Sequence, residues 1–142
     1  MMDNHFADII LPLAVKGIFT YQIPEDLTGK IFPGSRVLVQ FGNKKLYSGI
    51  VYKISKNSPA AVNIRPVLRV LDPVPIVNEI QLKLWLWISE YYMCSVGEVM
   101  KAALPSDLCL EGVTTVPVQE KYKPREETFI KLASDFSDNE LN

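Results

Sequence analysis

A chain of 142 residues has room for one domain, or for one domain and a fragment of a second. Its composition, 48% hydrophobic and 22% charged, is near the globular average and excludes a chain disordered throughout. A net charge of −1 speaks against a uniformly basic nucleic-acid binder, the N-terminus lacks the basic start and apolar stretch of a signal peptide, and no apolar run approaches the roughly 18 residues of a membrane span.

The first seventy residues predict strands. Ala7 to Leu13 reads as a short apolar strand, and Ile18 to Ile23 as a second that carries Phe19 and Tyr21. Phe32-Pro33-Gly34-Ser35 is a turn, in which proline pre-sets φ and glycine accepts a positive φ. Val37, Val39 and Phe41 then alternate with Arg36, Leu38 and Gln40, the period of two of a strand with one buried face. Gly42-Asn43-Lys44-Lys45 reverses the chain as a hairpin loop, and Leu46 to Ser55 returns, rich in β-formers. After a polar loop from Lys56 to Ala61, Arg65 to Leu71 supplies a fifth strand. Five short strands with tight turns, most of the ten prolines at segment borders, point to a small antiparallel barrel.

Asp72-Pro73-Val74-Pro75 ends the β part at about residue 72, and two helices follow within about 78–104. Asn78 caps the first with Gln81 as its partner three residues on; Ser95 and Glu98 form a capping box for the second, which Pro105 stops at Leu104. In the first helix Leu82, Leu84, Trp85, Leu86, Trp87, Ile88, Tyr91 and Tyr92 surround most of the circumference, a pattern expected of a helix buried on more than one side, here the barrel and something else such as a missing domain. From Val113 onward the pattern weakens; Thr128 to Leu132 is a candidate strand, and Ser137-Asp138-Asn139-Glu140 reads as a helix start cut short, as in a piece of a longer chain.

Charge is unevenly spread. Between Lys16 and Arg69 nine basic residues face only Glu25 and Asp26, whereas residues 70–142 hold six basic and twelve acidic ones. Such asymmetry creates a local positive field within a nearly neutral protein, although strand surfaces also carry lysines for solubility alone. Cys94 and Cys109, with a single histidine, make neither a disulfide framework nor a zinc site and fit a reducing cytoplasm. Gly29-Lys30-Ile31-Phe32-Pro33-Gly34 has the glycine spacing of a phosphate loop, but Ser35-Arg36 replaces the required Lys-Ser/Thr and Pro33 removes an N–H donor. It reads as a turn. No catalytic motif is apparent, and neither a catalytic residue nor a metal site is expected.

An ordered series of segments carries a resemblance. Ile10-Leu11-Pro12-Leu13, Phe19-Thr20-Tyr21, Ile23-Pro24-Glu25, Pro33-Gly34-Ser35-Arg36-Val37, Val39-Gln40-Phe41-Gly42 and Gly49-Ile50-Val51 are followed by Val70-Leu71-Asp72, Trp87-Ile88-Ser89-Glu90-Tyr91-Tyr92, Gly97-Glu98-Val99 and Ala103-Leu104-Pro105. From about Ile9 to Glu111 the chain thus resembles the start of the PriA family of replication-restart helicases, the primosomal proteins N′. The resemblance implies a mainly β, α+β fold, an OB-like antiparallel barrel followed by two helices. It implies a 3′ DNA-binding domain at residues 1–112, then a linker and the truncated start of a winged-helix domain at 113–142. The implied partners are a single-stranded DNA 3′ end and forked DNA, the rest of the helicase chain and primosome proteins, in the bacterial cytoplasm and away from membranes. Family members continue into an ATP-dependent 3′→5′ helicase with bound zinc. ATP, magnesium and zinc are therefore expected of that region, and no cofactor of the 142 residues here.

The family's nucleotide pocket carries over position by position. Its aromatic-acid-aromatic triplet falls on Phe19, Thr20 and Tyr21, its glycine on Gly42 and its basic residue before the last barrel strand on Arg65, with Lys44 and Lys45 nearby on the hairpin loop. An aromatic ring stacks on any base, a glycine allows backbone to approach a ribose, and cations neutralise phosphates without reading sequence. Thr20 departs from the family's acid and makes a weaker, neutral contact. Each assignment has a plainer alternative: Phe19 and Tyr21 share a strand face and can be core, Gly42 a turn glycine, Arg65 a strand-edge charge, and Trp85 and Trp87 packing residues. The competing functions are a protein-interaction module docking a primosome partner or the helicase core, and a single-strand barrel without end preference.

Overall fold

A computed structural model describes residues 5–57, 60 and 63–115. Five strands, β1 (His5–Ile10), β2 (Phe19–Ile23), β3 (Arg36–Phe41), β4 (Lys45–Ser55) and β5 (Arg69–Val70), precede two helices, α1 (Glu79–Tyr92) and α2 (Val96–Ala103). All five strands pair antiparallel in the order β2-β1-β4-β3-β5. The long β4 joins the two halves: Lys45 to Ile50 pairs with β3, and Ile50 to Ser55 with β1. A register shift between Asp8 and Ile9 bends the sheet there, as an extra residue on one strand does.

The chain from Arg65 to Leu71 links the two edges of the sheet. Gln22 N–H donates to the Arg65 carbonyl and Val67 N–H to the Gln22 carbonyl, both at 2.9 Å, on the β2 side. Leu68 N–H donates to Leu38 O and Leu71 N–H to Arg36 O, also at 2.9 Å, on the β3 side. The expected fifth strand is therefore divided into one bridge at Pro66 and the two-residue β5, because Pro66 has no N–H with which to continue a ladder. The first strand likewise stops at Ile10 rather than Leu13, where Leu13 N–H turns back to the Leu11 carbonyl beside Pro12.

Two cores follow from this closure. Ala7, Ile9, Tyr21, Val37, Val39, Val51 and Val67 fill the barrel, and the opposite face of β1 and β4, through Ile10 and Ile50, packs on Leu82, Trp85, Val99 and Met100 of the helices. Burial on both faces is why apolar residues stand side by side at Ile9-Ile10 in β1 and Ile50-Val51 in β4. Gly97 sets the seating of α2, since a Cβ there would lie 2.2 Å from the Leu11 carbonyl oxygen. Both helix starts are those expected: Asn78 with Gln81, and Ser95 with Glu98, form reciprocal capping boxes.

The surroundings of α1 meet the expectation on the barrel side. Leu82 and Trp85 are buried against the barrel side, but Ile80, Leu84, Trp87, Tyr91 and Tyr92 are exposed, so among the described residues the helix is covered on one side only. Beyond α2 the chain returns to the barrel. Val113 and Leu46 exchange two backbone bonds, and Ser48 donates through its hydroxyl to Leu108 O while accepting from Leu110 N–H. Arg36 joins this region to the segment that follows β5, holding Asp72 through two hydrogen bonds of 2.6 and 3.0 Å and Leu108 O through a third of 3.2 Å. The candidate strand at 128–132, the helix start at 137–140 and the expected winged-helix segment lie outside the described residues.

Candidate nucleic-acid interface

One end of the barrel opens into a cavity of about 420 Å³ lined by Ile18, Phe19, Thr20, Tyr21, Gln40, Phe41, Gly42, Asn63, Ile64 and Arg65. Its volume is that of a site for one small molecule or one nucleotide rather than for a duplex. Three separate segments supply the lining: β2, the β3–β4 turn, and the approach to Pro66. They meet because residues 65–67 hydrogen-bond to Gln22.

Phe19 is half-buried and meets Phe41 edge to face, with ring centroids 4.8 Å apart and planes at 66°. Phe41 in turn meets Tyr47 edge to face at 6.1 Å. This pair gives the cavity an aromatic wall. Tyr21 plays a different part: its ring is only 4% exposed within the barrel core, and its hydroxyl donates to the Gln40 carbonyl at 3.0 Å. Burial pushes its phenol up to about 12, opposed to a smaller extent by the Arg65 guanidinium. It is a neutral donor that ties β2 to the end of β3.

Gly42 lies at φ +68°, a left-handed conformation, and a Cβ built on it meets nothing within 4 Å. The turn itself requires this glycine, and the space beside it is open. Its carbonyl accepts from Arg65 Nη1 at 2.7 Å, so the guanidinium is braced across the cavity mouth, and among the described residues this is its one hydrogen bond. Thr20 contributes backbone as well as side chain. Gln22 directs both its N–H and C=O away from β1, and by the alternation of a strand Thr20 does the same, into the gap where residues 63–65 diverge from β2. The Thr20 hydroxyl donates to Asp8 Oδ1 on β1 at 2.7 Å.

Five of the residues singled out by the sequence, Phe19, Thr20, Tyr21, Gly42 and Arg65, therefore share one cavity, and Lys44 and Lys45 do not line it. Lys44 occupies a left-handed position of the turn at φ +62°, and both lysines are exposed beside the site rather than within it. Ile18, Gln40, Phe41, Asn63 and Ile64 were not anticipated. For Phe41 a signal existed, an aromatic residue directly before the turn glycine; Asn63 and Ile64 have none, because only barrel closure brings them in.

Comparison with known proteins agrees with this architecture. The family described as the 3′DNA-binding domain (3′BD) of PriA matches residues 8–105. The chain is 39% identical over 102 residues to the replication restart protein PriA of Rickettsia conorii, covering 72% of this chain and 15% of that protein. It is 34% identical over 118 residues to that of Rickettsia typhi (81% and 17%) and 29% identical over 107 residues to that of Bacillus subtilis (73% and 13%). The chain thus spans under a fifth of the length of these relatives. With most of its length matched in order, and with the barrel and helices the residues build, the chain belongs to the family of PriA 3′ DNA-binding domains.

Proposed function

We propose that the cavity holds the 3′-terminal nucleotide of a single DNA strand, and that the chain serves as the end-capturing module of a PriA-type restart helicase at stalled replication forks. The observation that carries this reading is the meeting of Phe19, Thr20, Gly42 and Arg65, drawn from segments 46 positions apart at the extremes, around a cavity of about 420 Å³. The Phe19–Phe41 wall offers a surface for any base, and Arg65, braced on Gly42 O, offers charge-assisted hydrogen bonds to a phosphate. The open backbone edge of Thr20 supplies one donor and one acceptor that every nucleotide can use. None of these contacts reads base identity, as suits a site that must accept whichever nucleotide ends the strand. A pocket one nucleotide deep rejects a strand that continues past it.

The test compares oligonucleotides ending in a 3′-hydroxyl and in a 3′-phosphate. Tighter binding of the hydroxyl form is expected, and equal affinity removes end capture. A second reading, a protein-docking module, draws on the exposed face of α1, where Trp87 stacks on Tyr91 at 5.1 Å beside Tyr92. Salt separates the two, since phosphate-driven binding falls steeply with ionic strength and apolar docking does not.

A further inference from the structure

The family's acid is absent from position 20, yet a carboxylate stands one hydrogen bond away. Asp8 and Thr20 are direct partners in the β1–β2 register, so their side chains leave the sheet on the same face, and Thr20 Oγ1 lies 2.7 Å from Asp8 Oδ1. An ionised carboxylate only accepts, so the single hydroxyl hydrogen of Thr20 is committed to Asp8. Thr20 lines the cavity, and what its Oγ1 presents to any further partner is then lone pairs alone. Asp8 itself is half-buried, and among the described residues Thr20 is its sole side-chain partner.

From this geometry we infer that Asp8 is a positioning residue that sets the site's specificity: it makes the Thr20 hydroxyl an obligate acceptor for a neutral donor on the bound terminal nucleotide. Without Asp8 the hydroxyl rotates and serves donor or acceptor equally. With it, a group bearing a hydrogen is favoured, and a bare anion is disfavoured twice, by facing lone pairs and by the nearby negative charge. Two groups of a terminal nucleotide supply such a hydrogen, the sugar 3′-hydroxyl and an exocyclic base amine, and the chemistry at Thr20 is shared by both. The inference rests on the cavity being the nucleotide site proposed above.

The experiment measures binding of the full chain to oligonucleotides that differ only at the last residue: 3′-hydroxyl, 3′-deoxy or 3′-phosphate ends, and terminal dC against dT for the base amine. In the unsubstituted protein one donor-bearing form binds more tightly than its donor-free match, the 3′-hydroxyl pair or the dC/dT pair identifying which donor is used. Asp8→Ala reduces that ratio by about two- to tenfold, the equivalent of one neutral hydrogen bond. Asp8→Asn, whose carbonyl oxygen still accepts from Thr20, keeps the donor preference while relaxing rejection of the 3′-phosphate. Each ratio is taken within one variant, so a general loss of stability cancels, and Thr20→Val, which removes the hydroxyl at nearly constant shape, lowers the ratio as Asp8→Ala does. If the unsubstituted protein separates hydroxyl from phosphate ends but Asp8→Ala separates all the pairs equally well, the role of Asp8 is overturned and end capture stands. Equal binding of hydroxyl and phosphate ends by the unsubstituted protein overturns both.

Discussion

Replacing Tyr21 by phenylalanine separates two contributions of one side chain. At neutral pH the variant loses the hydrogen bond from the hydroxyl to Gln40 O and leaves that carbonyl short of a partner, a cost of about 1 kcal/mol. At high pH the balance reverses. The phenol titrates near 12 in the folded protein against an ordinary value of 10.0, so the unfolded chain releases its proton first. The stability tied to the buried neutral phenol is complete below pH 10 and is lost as pH rises towards 12, in total about 3 kcal/mol for a two-unit displacement. Phenylalanine has no such proton. Wild type is therefore the more stable at pH 8, the two stabilities cross between about pH 10.5 and 11, and Tyr21→Phe is the more stable above the crossing. Urea unfolding of both proteins across this range, followed by tryptophan fluorescence, measures the difference, in which the titration of every other group cancels. Parallel stability curves refute the argument, because they mean that the Tyr21 hydroxyl is solvated and the ring is not part of the barrel wall.

Other substitutions probe the cavity and its frame. Phe19→Ala removes a stacking surface and is expected to weaken oligonucleotide binding by about 1–3 kcal/mol in a titration; unchanged affinity in a folded variant makes Phe19 a core residue only. Arg65→Gln is expected to reduce the slope of log affinity against log salt by about one, the loss of one phosphate contact, whereas Lys44→Gln, outside the cavity, leaves the preference for a 3′-hydroxyl end unchanged. Asp72→Asn strips the partly buried Arg36 of its counter-charge and is expected to cost about 1–3 kcal/mol in urea unfolding while leaving the end preference intact. Gly97→Ala forces α2 away from the Leu11 carbonyl and is expected to destabilise by about 1–3 kcal/mol, read as a lower thermal midpoint.

What could be read in advance was what local chemistry decides. The capping pairs Asn78/Gln81 and Ser95/Glu98 act across three residues and appear where they were expected, as does the strand from Arg36 to Phe41, although Leu38 on its second face is as fully buried as Val37 and Val39. The circumference of α1 states what a helix can bury and not what lies beside it: Leu82 and Trp85 face the barrel, while Leu84, Trp87 and Tyr91 are exposed among the described residues. Lys44 and Lys45 adjoin Gly42 in sequence and stand exposed beside the cavity, outside its lining, with Lys44 at a left-handed position of the turn. Asn63 and Ile64 were invisible because their place depends on hydrogen bonds between Gln22 and residues 65–67, more than forty positions apart.

Register is the element that joins the legible part to the illegible part. A slip of one residue between β1 and β2 would exchange the two faces of β2, putting Thr20 into the barrel and the rings of Phe19 and Tyr21 outside. The chain resists this because the slip exposes two aromatic side chains and buries a hydroxyl, each unfavourable on its own. The pairing that seats Tyr21 in the core is therefore the same one that sets Phe19 against Phe41 and brings the Thr20 hydroxyl to Asp8. Packing inside the barrel and specificity at its mouth follow from a single register, so a variant that disturbs β1–β2 pairing should lose core stability and end preference together, whereas Asp8→Ala, which leaves the pairing in place, should lose the second alone.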